Sequence, residues 1–211
     1  MKNLPYQKTS KYLLTLGIAC LIILPNTKAQ KLVGDVYQSY FGANYLLDLD
    51  TSQDNFSTSI GSSDNFSKSK TDKASTVMLR WGYRENNAYG IELGYLNMLN
   101  SKSTADNGLE YEHNARGFFA DLLIFFPINN KATIYGKVGT AKLKIEGKAK
   151  TATNTISKTN EKWSPSYGIG MEYAIASQFA IRAGWESIEI ESDLGGKSKH
   201  GGINIGGFVF Y

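Results

Sequence analysis

From Gly34 onward, apolar and polar positions alternate with a period of two in eight runs, at about residues 35–49, 74–84, 88–99, 111–126, 132–146, 162–175, 179–191 and 201–211. This is the pattern of β-strands with two unlike faces, and no stripe of helical period interrupts it. The connections are patterned too. Those after the second, fourth and sixth runs are short (Glu85 to Asn87, Pro127 to Lys131, Ala176 to Gln178), whereas the other four are long and rich in Ser, Thr, Asn, Asp, Lys and Gly. Alternate connections of an up-and-down sheet fall at the same end, so one end carries tight turns and the other long loops.

The two faces differ in kind. In the third run Tyr89, Ile91, Leu93 and Tyr95 oppose Gly90, Glu92 and Gly94; in the second, Val77, Leu79, Trp81 and Tyr83 oppose Met78, Arg80 and Gly82. The sixth run sets Tyr167, Ile169, Met171 and Tyr173 against Gly168, Gly170 and Glu172. A soluble barrel would point its apolar side inward and cover its outer wall with Lys, Glu, Asn and Ser. Here the second face holds too much glycine for a solvated wall. The pattern predicts an all-β fold, an eight-stranded antiparallel up-and-down transmembrane β-barrel with short periplasmic turns and long extracellular loops. Its interior then holds Arg80, Lys137 and Arg182 with Glu92, Asp121, Glu172 and Glu186. These must pair, because an isolated buried charge costs several kcal/mol. Inward side chains nearly fill eight strands, which leaves no wide channel. Parity lapses at Leu143, Ile145, Ile188 and Ile190. Either a bulge at the rim or a strand running past the membrane accounts for that.

The first residues set the compartment. Lys2, Lys8 and Lys11 precede an apolar run from Tyr12 to Leu24, and Thr27-Lys28-Ala29 supplies a small-x-small cleavage site, so residues 1–29 read as a secretory signal peptide and 30–211 as the barrel domain. The run is shorter than the roughly 20 residues a membrane helix needs. Four of the 23 lysines and arginines and none of the 19 acids fall in that leader, so the remaining chain is balanced in charge. That argues against a nucleic-acid partner, which requires a basic face. Cys20, the sole cysteine, lies in the leader as well, which leaves the barrel without disulfides.

Signal peptide, eight alternating runs, Tyr89-Gly90 and Gly168-Ile169-Gly170 pairs and the aromatic Tyr211 together resemble the small eight-stranded outer-membrane barrels of Gram-negative bacteria, the opacity-protein and OmpA-transmembrane-domain-like group. The resemblance implies localisation in the cell outer membrane after export through the inner one. Asn204, Gly206, Val209 and Tyr211 are similar to the polar-x-Gly-x-x-apolar-x-aromatic pattern that such barrels present to their insertion machinery. Cell-wall-gripping members carry a further periplasmic domain after the barrel, and the last run here is not followed by one, so peptidoglycan anchoring is not expected.

Catalysis, cofactors and metals find little support. Barrels that deacylate lipid A resemble Ser-His-acid hydrolases with a His-x-Ser pair, but His113 precedes Asn114-Ala115 and His200 precedes Gly201-Gly202. Both histidines read as loop-rim residues, with no nucleophile held by a base. Two acidic-aromatic repeats in the first loop, Asp54-Asn55-Phe56-Ser57 and Asp64-Asn65-Phe66-Ser67, place Phe56 and Phe66 as candidate contacts for a host surface ligand. Lys148, Lys150 and Lys158 lie in a stretch from Gly147 to Asn160 with no acid and would suit lipopolysaccharide phosphates. The expectation is a non-catalytic barrel in contact with outer-membrane lipid and lipopolysaccharide, serving envelope integrity and surface contact, including adhesion. The alternatives are a narrow porin for ions or very small solutes and a lipid A-modifying enzyme.

Overall fold

The computed structural model describes residues 38–54, 70–71, 75–85, 88–104, 110–150, 155–192 and 196–211; the leader and the first-loop residues Phe56 and Phe66 lie outside them. The strands are β1 (Gln38–Asp54), a two-residue β2 (Lys70–Thr71), β3 (Ser75–Glu85), β4 (Tyr89–Thr104), β5 (Glu110–Pro127), β6 (Ala132–Lys150), β7 (Thr155–Ala176), β8 (Phe179–Ser192) and β9 (Gly196–Phe210). Each long strand pairs antiparallel with its sequence neighbours, and β1 pairs with β9 to close an eight-stranded barrel. β2 adds two residues to the edge of β4.

The tight turns fall where the sequence placed them. Between β5 and β6, Asn129 accepts the backbone N–H groups of Lys131 at 2.8 Å and Ala132 at 2.9 Å, a side chain standing in for a missing ladder partner. Ser177 and Gln178 alone join β7 to β8.

Outward positions are apolar over a band and remain uncovered by the chain itself: Phe118 is 71% exposed, Val138 63% and Leu122 62%. On a barrel wall such positions meet lipid. Tyr45, Tyr95, Phe118, Trp163 and Trp185 ring the band toward the long-loop end, and Tyr83, Tyr89, Phe126, Tyr173 and Tyr211 toward the short-turn end, all of them exposed. Two such aromatic girdles mark the two membrane interfaces.

The lumen is packed in three layers. Tyr40, Ala180, Phe208 and Phe210 fill the periplasmic end. The charged residues occupy the middle. Above them Leu46, Met78, Leu96, Met98, Phe119, Leu143, Ile145, Ile188 and Ile190 form an apolar layer. Glycines opposite the large rings make room for this filling: a β-carbon at Gly82 would collide with the Tyr40 ring, and one at Gly42 with Phe208.

The lapses of parity at Leu143, Ile145, Ile188 and Ile190 are not bulges. Ladders β5–β6, β6–β7 and β8–β9 run through these positions without a register shift, and all four side chains stay inward. What changes is the surroundings. Beyond the girdle the outer face meets water and becomes polar (Lys142, Lys144, Glu146), while the inner face becomes largely apolar. The shifts of register lie elsewhere, at Asp48/Asp50, Met98/Ser101 and Ala174/Ala176.

Strands therefore run well past the membrane, and there the wall divides. Pairing of β7 with β8 stops at Ser166–Ile188, next to Pro165, which has no N–H to donate. Pairing of β1 with β3 stops at Leu47–Ser75. Above these levels, among the described residues, β2 and β4 to β7 form one leaf and β8, β9 and β1 a second.

Candidate functional site

The inward face of β3, β4, β5, β6, β7 and β8 gathers the seven charged residues singled out from the sequence into one network. Arg80 donates to Glu92 at 2.8 Å, to Asp121 at 3.3 Å and to both oxygens of Glu186 at 2.9 and 3.0 Å. Lys137 bonds Asp121 at 3.1 Å and also Glu186. Arg182 bridges Glu172, at 2.6 Å from its Nε, and Glu92. The sequence reading missed an eighth member: Arg84 donates to Glu172 at 2.8 Å. With it the cations equal the acids, four to four, and the network is neutral. Arg84 continues the Arg80-Gly82 parity, a signal that was available, but it sits beside a turn where a rim charge is the ordinary expectation.

Neutral groups complete the site. Tyr40 donates to Glu92 at 2.8 Å, Ser166 to Asp121 at 2.8 Å, and Asn204 donates to Glu186 while accepting from Asn44 at 2.7 Å. Toward the periplasm the guanidiniums lie on rings: Arg84 is 3.8 Å from the centre of Phe125, and Arg182 is 4.1 Å from Phe208 and 4.7 Å from Tyr40. Arg182 Nη2 has no hydrogen-bond partner, so the ring faces are its compensation. A network in which each of the eight charges is salt-bridged holds the strands in place.

Of the C-terminal pattern, Asn204 and Gly206 lie on the inward face, and Val209, opposite the exposed Phe41, and Tyr211 on the outward one. Tyr211 donates its N–H to Ser39 at 3.0 Å, and its hydroxyl accepts from Trp81 at 2.9 Å.

The histidines are not loop-rim residues. Both lie on strand extensions inside the lumen, His113 5% and His200 0% exposed. Asp48 meets His200 Nδ1 at 2.6 Å, and His200 Nε2 lies 3.3 Å from His113 Nε2. The sequence hid this because an imidazole at a strand end shows the same pattern whether it faces solvent or the lumen. An acid–imidazole pair is thus present, but a second imidazole stands where a hydrolase would hold a hydroxyl.

The lysines also differ from expectation. Lys148 and Lys150 belong to β6 and Lys158 to β7, not to a loop. Register pairs Gly147 with Lys158 and Lys148 with Ser157, so Lys158 projects from the opposite face of the leaf. Nor are they free of acids: Glu112 and Glu110 lie directly across from Lys148 and Lys150. Around them run exposed pairs Lys102–Glu112 at 2.7 Å, Arg116–Glu146 at 3.2 Å and Lys142–Glu161 at 3.3 Å. The Lys102 ammonium bonded to Glu112 holds that carboxyl below the usual range. The outer face of the leaf is a ladder of mixed charge.

A closed lumen, a lipid-facing band between two girdles and a neutral buried network define an outer-membrane β-barrel. The family described as outer membrane protein beta-barrel domain matches residues 17–208, and the chain belongs to it. Solved structures share the fold. Ail, the attachment invasion locus protein of Yersinia pestis, solved in complex with the heparin analogue sucrose octasulfate, is 18% identical over 83% of this chain and 99% of that one, with a TM-score of 0.50. Neisserial surface protein A is 14% identical over 83% and 97%, TM-score 0.52. OprG from Pseudomonas aeruginosa is 13% identical over 83% and 95%, TM-score 0.54. No curated protein sequence matches the chain.

Proposed function

We propose that the protein is a non-catalytic barrel that braces the outer membrane and carries a rigid platform for surface contact above it. The observation that carries this reading is the continuation of β4 to β7 past the girdle as ordered sheet with a charged outer face. From Ala141 to Lys150 of β6, at about 3.3 Å per residue and a tilt near 45°, the wall rises roughly 20–25 Å beyond the band. Lys142, Lys144, Lys148 and Lys150 line it in one row. Near the membrane this row suits lipopolysaccharide phosphates, and farther out an anionic surface ligand of a host or neighbouring cell. Ail, which shares the barrel fold, was solved with a sulfated sugar. Long-range attraction of this kind adds to the contacts that Phe56 and Phe66 would make from the first loop.

Cells displaying the protein should bind immobilised heparin or extracellular-matrix proteins, and changing the four lysines to glutamine should reduce that binding several-fold at physiological salt. Surface amount and heat-modifiable gel migration control for folding. Equal binding by native and substituted forms would refute the platform.

A further inference from the structure

The two extracellular leaves share no ladder above Ser166–Ile188 and Leu47–Ser75 among the described residues, yet their inner faces meet. Leu143 and Ile145 of one leaf pack in the same cluster as Ile188 and Ile190 of the other. Among the described residues, polar links across the divide include exposed ones: Lys162 pairs with Glu191 at 2.8 Å, Asn160 Nδ2 donates to the Glu191 carbonyl at 3.1 Å, and Lys199 bonds Tyr167. Exposed contacts of this kind contribute little. The buried link is different: His113 comes from β5 of the first leaf, and His200 and Asp48 from β9 and β1 of the second.

We propose that Asp48, His200 and His113 form a clasp that holds the leaves shut at neutral pH and lets them part on acidification. The Asp48 carboxylate accepts a hydrogen bond from His200 Nδ1–H, and in the neutral ring this leaves His200 Nε2 as an acceptor and makes His113 Nε2–H the donor across the 3.3 Å contact. A second proton, on His113 Nδ1, leaves the donor in place but makes a cation there. Protonation of His200 Nε2 abolishes the acceptor, and two imidazolium rings then share one carboxylate in a buried site. Each added proton is accommodated by separation into water.

Among the described residues, the groups around the clasp do not offset this, and Lys158, two strands from His113 in the same row of the inner face, is a further cation. In the ladders His113 lies opposite Ser101 of β4 and Gly147 of β6, and His200 opposite Thr51 of β1 and Ile188 of β8. β3 presents Thr76 inward, and the charged pair from β7 and β8, Lys162 with Glu191, is engaged with itself. The charges acting on His113 are those of His200, which disfavours its protonation, and Asp48, which favours it. Burial first, then His200, pushes His113 from 6.5 down to about 3 while the clasp is closed. The released residue binds a proton that the clasped one does not. The contribution to closure is therefore complete above the open-state value and is lost as pH falls through 6.5 toward 3. Between pH 7.5 and 4.5 this shifts the open-to-closed ratio about a hundredfold.

Spin labels on Ser157→Cys of β7 and Glu189→Cys of β8, with Cys20 replaced where the leader is retained, would report the gap by electron double resonance in lipid nanodiscs. The native clasp should give a narrow distance distribution at pH 7.5 and a longer, broader one at pH 4.5, reversibly. His113→Gln and, independently, His200→Gln should lose the acid response. Heat-modifiable migration identifies which of the two is folded. No change in the native clasp, or the same acid change in a folded glutamine variant, overturns the proposal.

Discussion

Glu186 takes hydrogen bonds from Arg80, Lys137 and Asn204 inside the lumen, where it is 2% exposed. Removing its charge leaves one surplus cation in a buried site, with Arg80 still paired to Glu92 and Asp121 and Lys137 to Asp121. Glu186→Gln should therefore cost about 3–5 kcal/mol of unfolding free energy in detergent or lipid, read from urea titration. Lys142→Gln, which breaks an exposed pair with Glu161, should cost less than about 0.5 kcal/mol. Equal effects would mean that the lumen is hydrated. At this scale the sequence was legible where a charge sat in mid-run among glycines, as Arg80, Glu92 and Arg182 do. It was not legible at Arg84, beside a turn, or at Asp48, His113 and His200, because a charge or imidazole near a strand end looks the same whether it faces solvent or the lumen. Only cross-barrel distance separates those cases, and no single sequence encodes it directly.

Strand identity and parity could be read from the chain because the membrane imposes one rule along each run, apolar outward. The ends could not, since that rule inverts at the girdle: outside the bilayer the outer face is wet and the inner face seals the barrel. Leu143 and Lys144 straddle this inversion, one fully buried and one exposed, and they test it as a pair. Leu143→Lys places an unpaired charge in the upper apolar layer and should remove the compact, heat-modifiable gel band. Lys144→Leu should leave that band intact. A true bulge would reverse or equalise the outcomes, because each side chain would then occupy the other's environment.

Across the whole molecule the barrel is stoppered twice, by Tyr40, Phe208 and Phe210 at the periplasmic end and by the Leu46-to-Ile190 layer above, with the ion network between them. These layers act in series, so any one of them suffices to block ions. For conduction all three would have to give way together, and the middle one could do so only by parting buried charge pairs. Purified protein in a planar bilayer at pH 7.5 should accordingly show no discrete conductance steps, and Phe208→Ala with Phe210→Ala should remain silent because the network and the upper layer persist. Steps in the native protein at neutral pH would contradict the packed lumen and favour the narrow-porin alternative. Steps that appear only at acid pH would mean that the loss of the histidine contact loosens the two lower layers as well, which would make the barrel cooperative along its full length.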